Sequence, residues 1–121
     1  MVSAPTQTVV IVDDHPSFRA IARLVLDAEG FAVVGDATSG EEGVAAIVRL
    51  KPDVVLLDIG LPDIDGFEVA ARLRAAGVGS AIIFTSARDA SDFGSKLAGS
   101  GARGFIVKAE LSGELLRALI P

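Results

Sequence analysis

Val54-Val55-Leu56-Leu57-Asp58-Ile59-Gly60-Leu61-Pro62 is the stretch whose reading decides the fold. Large apolar residues in unbroken succession, bounded by Pro52-Asp53 and Pro62, read as a strand covered on both faces, as inside a parallel sheet. Such a strand has no room for a charge along its length, so a carboxylate enters only where the strand ends. Asp58 stands there, before a loop of Gly, Pro and Asp. Open α/β sheets bind ligands outside the carboxyl ends of their strands. Asp58 is therefore the first candidate for chemistry.

Working outward, Thr8-Val9-Val10-Ile11-Val12 reads as a second doubly buried strand, stopped by Asp13-Asp14. Phe31 to Gly35 reads as a short strand near an edge, Ala81-Ile82-Ile83-Phe84 as a strand ending in Thr85-Ser86, and Gly104-Phe105-Ile106-Val107 as one ending in Lys108. Helices fill the gaps. Pro16 opens one carrying Phe18, Ile21, Ala22, Val25 and Leu26 at helical spacing. Ser39-Gly40-Glu41-Glu42 is a capping box for the next, with Val44, Ile47 and Val48 on one face. Asp65 and Glu68 can cap a third in the same way, with Phe67, Ala70, Ala71 and Leu73 inward. The fourth, about Ala90 to Gly99, is the weakest, since Gly94 and Gly99 each cost roughly 1 kcal/mol relative to Ala. Ser112 caps the last, with Leu115, Leu116, Leu119 and Ile120.

Strict β-α alternation predicts an α/β fold, a flavodoxin-like (βα)5 doubly wound parallel sheet with strand order 2-1-3-4-5. The length of 121 residues suits one domain over 1–121, with Met1 to Gln7 a frayed tail. No apolar run reaches membrane length, and the N-terminus lacks a secretory pattern. The chain has no Cys, Trp or Tyr and a net charge of −5. That excludes disulfides and thiolate metal sites and argues against direct nucleic-acid binding. The expectation is a soluble, cytoplasmic domain.

The predicted topology gathers polar strand ends on one edge: Asp13 and Asp14, Asp58, Thr85 or Ser86, and Lys108. Carboxylates so close repel unless a cation sits among them. An all-oxygen set selects a hard ion, and Mg²⁺ takes a few carboxylates while receiving further ligands from phosphate. Lys108 and a hydroxyl suit phosphoryl oxygens. A carboxylate nucleophile, a metal cradle and neutralising donors are the parts of phosphoryl transfer to an aspartate. No Gly-rich phosphate loop points to ATP as donor.

Several motifs together resemble a response-regulator receiver domain over essentially the whole length. They are Val12-Asp13-Asp14-His15-Pro16, Val54 through Gly66, Phe84-Thr85-Ser86 and Gly101-Ala102-Arg103-Gly104-Phe105-Ile106-Val107-Lys108. The Asp-His-Pro opening resembles regulators that carry a C-terminal LuxR/NarL-type output domain. The resemblance implies that Asp58 accepts phosphate from a sensor histidine kinase, so that the chain is a phosphoacceptor and not an enzyme acting on an outside substrate. It implies Mg²⁺ on Asp14, Asp58 and the backbone carbonyl of Gly60, with Asp13 acting mainly through water. Ser86 and Phe105 would be the switch pair, with Thr85 kept as the alternative hydroxyl, and Lys108 would bind the phosphoryl group. Phosphorylation would switch the face formed by the fourth helix, fifth strand and fifth helix. Homodimerisation on phosphorylation and a DNA-binding output domain absent from this chain stay open.

Other readings stand beside these. Asp14 could merely cap the first helix, but Asp13 beside it and Asp58 across the sheet favour the metal cradle. Asp63 and Asp65 lack the remaining ligands of a calcium loop and are read as caps. His15 is read as an exposed loop residue. Ala109 stands where the family usually has proline, which predicts a less rigid loop. The alternative function is a metal-dependent phosphatase or phosphotransferase acting on a small molecule. Gly60 counts against it, because a phosphatase of the haloacid-dehalogenase type places a second acid there.

Overall fold

The computed structural model describes residues 6–120. A five-stranded parallel sheet runs in the order β2-β1-β3-β4-β5. Its strands are β1 (Thr8–Val12), β2 (Ala32–Ala37), β3 (Val54–Asp58), β4 (Ala81–Ser86) and β5 (Gly104–Val107). The helices are α1 (Pro16–Ala28), α2 (Gly40–Leu50), α3 (Gly66–Ala75), α4 (Ser95–Ala98) and α5 (Gly113–Leu119). This is the doubly wound arrangement read from the alternation.

Side-chain alternation along the strands divides the core in two. Val9, Ile11, Val54, Leu56, Ile83 and Ile106 face α1 and α5, meeting Ala22, Leu26 and Leu116. Val10, Val12, Val55, Leu57 and Phe84 face the other side, against Ile47 of α2 and Val69, Ala70 and Leu73 of α3. All five residues of β3 are buried, as a central strand covered twice must be. Each fully buried aliphatic side chain there contributes about 1.5–3 kcal/mol. The two layers hold the strands in a parallel register that brings the ends of β1, β3, β4 and β5 to one edge.

Several helix starts follow the caps read from sequence, with altered detail. Ser39 Oγ accepts from the Glu42 amide at 3.2 Å, but Glu42 reaches back to the amide and hydroxyl of Thr38 instead of Ser39. Asp65 accepts from the Glu68 amide at 2.8 Å, while the Glu68 side chain pairs with Arg72. Ser112 accepts from the Leu115 amide at 3.1 Å. Asp63 caps a different helix from its neighbour. Its two oxygens take the amides of Gly40 and Glu41 at 2.7 and 2.8 Å, tying the loop after β3 to the start of α2.

The structure departs from the sequence reading in places. The segment expected as a helix from Ala90 to Gly99 is a 3-10 turn over Ala90–Asp92 followed by the four-residue α4. Gly94 between them has φ 54° and ψ −133°, a conformation that ends any continuous helix. Ile21 is 56% exposed although it shares the spacing of the inward residues of α1. β2 begins at Ala32 and runs to Ala37. Of the predicted tail, residues 1–5 lie outside the described residues, and the Gln7 carbonyl accepts from the Ala32 amide at 2.9 Å.

Candidate functional site

The site is built where β1, β3, β4 and β5 end together. Past Val12, the Asp13 amide still donates to the Ala37 carbonyl at 3.0 Å, so Asp13 stays in the sheet while its side chain is fully buried. Its Oδ1 accepts from the His15 amide at 2.8 Å, a tight turn that brings the His15 ring back over it, Nδ1 at 3.0 Å. The Asp13 carbonyl accepts from Arg19 Nη1 at 2.7 Å, one turn into α1. Asp14 is partly exposed, and its Oδ1 lies 3.3 Å from His15 Nδ1.

Asp58 ends β3, with its backbone paired to Thr85. The next amide, of Ile59, donates to the Thr85 carbonyl at 3.1 Å, and Asp58 itself is 3% exposed. Its Oδ1 accepts from the Gly60 amide at 3.2 Å and its Oδ2 from Lys108 Nζ at 3.2 Å. Burial pushes the Asp58 carboxyl above its ordinary value, and the Asp13 charge adds to the rise; Lys108 opposes both.

Lys108 is anchored by β5 and reaches inward across the edge. Its Nζ lies 2.7 Å from Asp13 Oδ2, 3.4 Å from His15 Nδ1 and 4.9 Å from the centre of the Phe18 ring. The Asp13 contact is the shorter, yet it lies off hydrogen-bond geometry, so Asp13 Oδ2 has close charge compensation but no donor. Asp14 Oδ1 likewise has no donor. From the lysine on, Lys108–Glu110 forms a 3-10 turn that takes in Ala109.

The hydroxyls differ in their surroundings. Thr85 is 1% exposed, and its Oγ1 has no hydrogen-bond partner. Ser86 lies one residue further toward the edge, its Oγ accepting from the Arg88 amide at 3.0 Å. Phe105 is partly buried on the side of Phe84, in contact with Phe93 at a ring distance of 5.9 Å.

The fold thus brings together Asp13, Asp14, Asp58 and Lys108, with Thr85, Ser86 and Gly60 on the same edge. Phe105 stands back from the acids in the α3–α4 layer. Asp13, Asp14, His15 and Asp58 each offer a ligand atom within 4.8 Å of the others. Two of the acid oxygens lack donors, so this donor set fits a divalent cation. The sequence reading has His15 as an exposed loop residue and Phe18 as an apolar residue of α1, as they are; what it did not give is their nearness to Lys108 and, for His15, to the acids. The signal was local: a residue two past Asp13 is where an Asp-initiated turn returns the chain, and Phe18 sits one turn into the helix that follows.

A surface depression of about 490 Å³ lies at the opposite end of the strands, between Val48, Pro52 and Val78, and shares no residue with the acid cluster. None of the described helices is long and apolar enough to cross a membrane.

Comparison with known proteins identifies the family and the fold. The model of the response regulator receiver domain matches residues 9–120. A putative transcriptional regulator of Pseudomonas aeruginosa is 39% identical over 110 residues, 91% of this chain and 53% of that protein. The virulence-factor transcription regulator BvgA of Bordetella pertussis is 37% identical over 110 residues, again 91% of this chain and 53% of the relative. The chain therefore spans about half the length of these relatives. In structure it is similar to the signal receiver domain of the response regulator NarL from Mycobacterium tuberculosis, with a TM-score of 0.87 and 32% identity over 96% of this chain and 94% of that one. With the acid cluster at the switch edge, the strand order and the match over nearly every described residue, the chain belongs to the response regulator receiver domain family.

Proposed function

We propose that Asp58 is the phosphoacceptor of a two-component switch. The observation that carries this reading is the placement of Asp58. It is a buried strand-end carboxylate with Asp13 and Asp14 on one side and the Lys108 ammonium 3.2 Å from its Oδ2. The donor is a phosphohistidine of a sensor kinase. An Asp58 carboxylate oxygen attacks phosphorus as the P–N bond breaks, and the departing imidazole nitrogen keeps the electron pair and takes up a proton. No general base is required, because the nucleophile carries no proton to lose.

Asp13, Asp14, Asp58 and the Gly60 carbonyl would hold Mg²⁺, with Asp13 acting mainly through water. That ion would neutralise charge on the transferring phosphoryl oxygens. Lys108 supplies a second positive charge to the same oxygens. The Ser86 hydroxyl accepts from Arg88, so its own proton stays free to donate to a phosphoryl oxygen. This makes Ser86 the proposed switch hydroxyl and Thr85 the alternative. Drawing Ser86 inward makes room on the Phe105 side, and the face of α4, β5 and α5 changes partner preference. The whole chain acts as one receiver domain in the cytoplasm. It passes the signal to a transcriptional output through homodimerisation or a C-terminal DNA-binding domain outside this chain.

The test is incubation with acetyl phosphate and Mg²⁺ followed by intact mass measurement. Wild type gains one phosphoryl group, and Asp58→Asn gains none. Turnover of small phosphate esters without an adduct would replace this reading with that of a phosphatase.

A further inference from the structure

The acid cluster contains a nitrogen donor that the phosphoacceptor reading does not use. His15 Nδ1 lies 3.0 Å from Asp13 Oδ1 and 3.3 Å from Asp14 Oδ1, and it joins Asp13, Asp14 and Asp58 within 4.8 Å. Around an octahedral ion with bonds of about 2.1 Å, adjacent ligands stand about 3.0 Å apart and opposite ones about 4.2 Å. At 3.3 Å from Asp14 Oδ1 the imidazole is therefore spaced from that acid about as a neighbouring ligand would be, while its 3.0 Å approach to Asp13 Oδ1 is a hydrogen-bond contact. The His15 amide is held on Asp13 Oδ1 at 2.8 Å and Pro16 begins α1 immediately after, so the backbone directs the ring toward the acids.

We infer that His15 supplies a nitrogen ligand to the proposed cation cradle, which gives it an added affinity for borderline divalent ions such as Co²⁺, Ni²⁺ or Zn²⁺ that does not extend to Mg²⁺. Oxygen donors alone suit Mg²⁺, Ca²⁺ and Mn²⁺, whereas a neutral imidazole adds affinity for the later transition metals. Asp13 Oδ2 and Asp14 Oδ1, both without donors, provide the charge for either class of ion. The inference rests on the cradle proposed above and adds a nitrogen ligand to it.

The chain holds a single histidine and no cysteine, so the assignment can be read without ambiguity on tag-free protein. Calorimetry with Mg²⁺ and with Co²⁺ compares wild type, His15→Asn and Asp14→Asn at about pH 8, above the ordinary imidazole range. Asn keeps a hydrogen-bond donor near the position of Nδ1 but offers no imidazole nitrogen. The expected result is that His15→Asn weakens Co²⁺ by about tenfold or more, the lower end of what losing even an indirect metal partner costs, and leaves Mg²⁺ unchanged. Proton NMR of the Co²⁺ form should show one exchangeable imidazole proton shifted far outside the diamagnetic range, absent from His15→Asn. Equal losses for both ions, or no loss, would overturn the role of His15 while leaving the cradle standing. Failure of wild type to bind either ion, or full binding by Asp14→Asn, would remove the cradle itself and this inference with it.

Discussion

The Lys108 ammonium stands between two acids of different strands, 2.7 Å from Asp13 Oδ2 and 3.2 Å from Asp58 Oδ2. It sits against the same carboxylates proposed to hold the divalent ion, so the two cations compete for one negative field. Lys108→Met keeps an unbranched side chain near Phe18 and removes the competing charge. The expected outcome is a several-fold gain in Mg²⁺ affinity by calorimetry, together with slower phosphorylation by acetyl phosphate. Unchanged Mg²⁺ affinity would mean that the ammonium does not contest the site.

Asp58 bears the cost of this crowding. Its carboxyl is held above the ordinary value by burial first and Asp13 second, so the folded state disfavours the ionised form. The sign follows directly: as pH rises through the raised value, ionisation of Asp58 removes stability, and the unfolded chain has no such penalty. Asp58→Asn should therefore be more stable than wild type at neutral pH, with a higher melting point. The advantage should shrink as pH falls and Asp58 protonates. Thermal melts across that range check it.

Gly66 positions Asp58 from behind. A Cβ there would stand 2.6 Å from the Asp58 carbonyl and 2.9 Å from Ile59 Cα, both backbone atoms that cannot swing aside. Gly66→Ala should cost about 2 kcal/mol, in the range for overpacked sites, and slow phosphorylation by displacing the end of β3. Gly60→Ala is the control: a Cβ at Gly60 meets nothing within 4 Å, so stability should hold. Equal melting points for the two variants would refute the packing argument.

Asp63 gives a pH dependence of the opposite sign. The Glu41 amide foremost, with the Gly40 amide beside it, lowers its carboxyl from 3.8 to about 2. Stability from this cap is fully present above the unfolded value of 3.8 and is lost as pH falls toward 2. Asp63→Asn presents an amide hydrogen to one of those two N–H groups. It should melt a few degrees lower at neutral pH, and the gap to wild type should close across that acid window.

Much of this was legible in the chain because burial and chemistry agree. The apolar runs of β1 and β3 have one exit for charge each, and both exits carry aspartate. What escaped reading depends on where turns lead. His15 is the exposed loop residue the sequence suggests, with its side chain 61% exposed, but the turn on Asp13 Oδ1 also brings its Nδ1 beside the acids. Asp63 is the cap the sequence suggests, but the helix it caps could not be read from its neighbourhood, because its amides come from Gly40 and Glu41, more than twenty residues earlier. Ile21 follows helical period into solvent because spacing gives a face but not how wide a stripe the sheet covers.

Gly94 separates the two ways of reading the weakest segment. Helix propensity alone says that Gly94→Ala should stabilise a helix from Ala90 to Gly99 by about 1 kcal/mol. The structure says the reverse. Gly94 has φ 54° and ψ −133°, outside the regions an L side chain adopts easily, although a Cβ there would meet no neighbour within 4 Å. The strain is in the backbone and not in packing, of the order of 1–3 kcal/mol. Gly94→Ala should therefore lower the melting point. It should also speed amide exchange in residues 90–98, where the 3-10 turn and α4 flank the glycine. A rise in stability with new exchange protection through that span would show that the short α4 readily becomes one continuous helix.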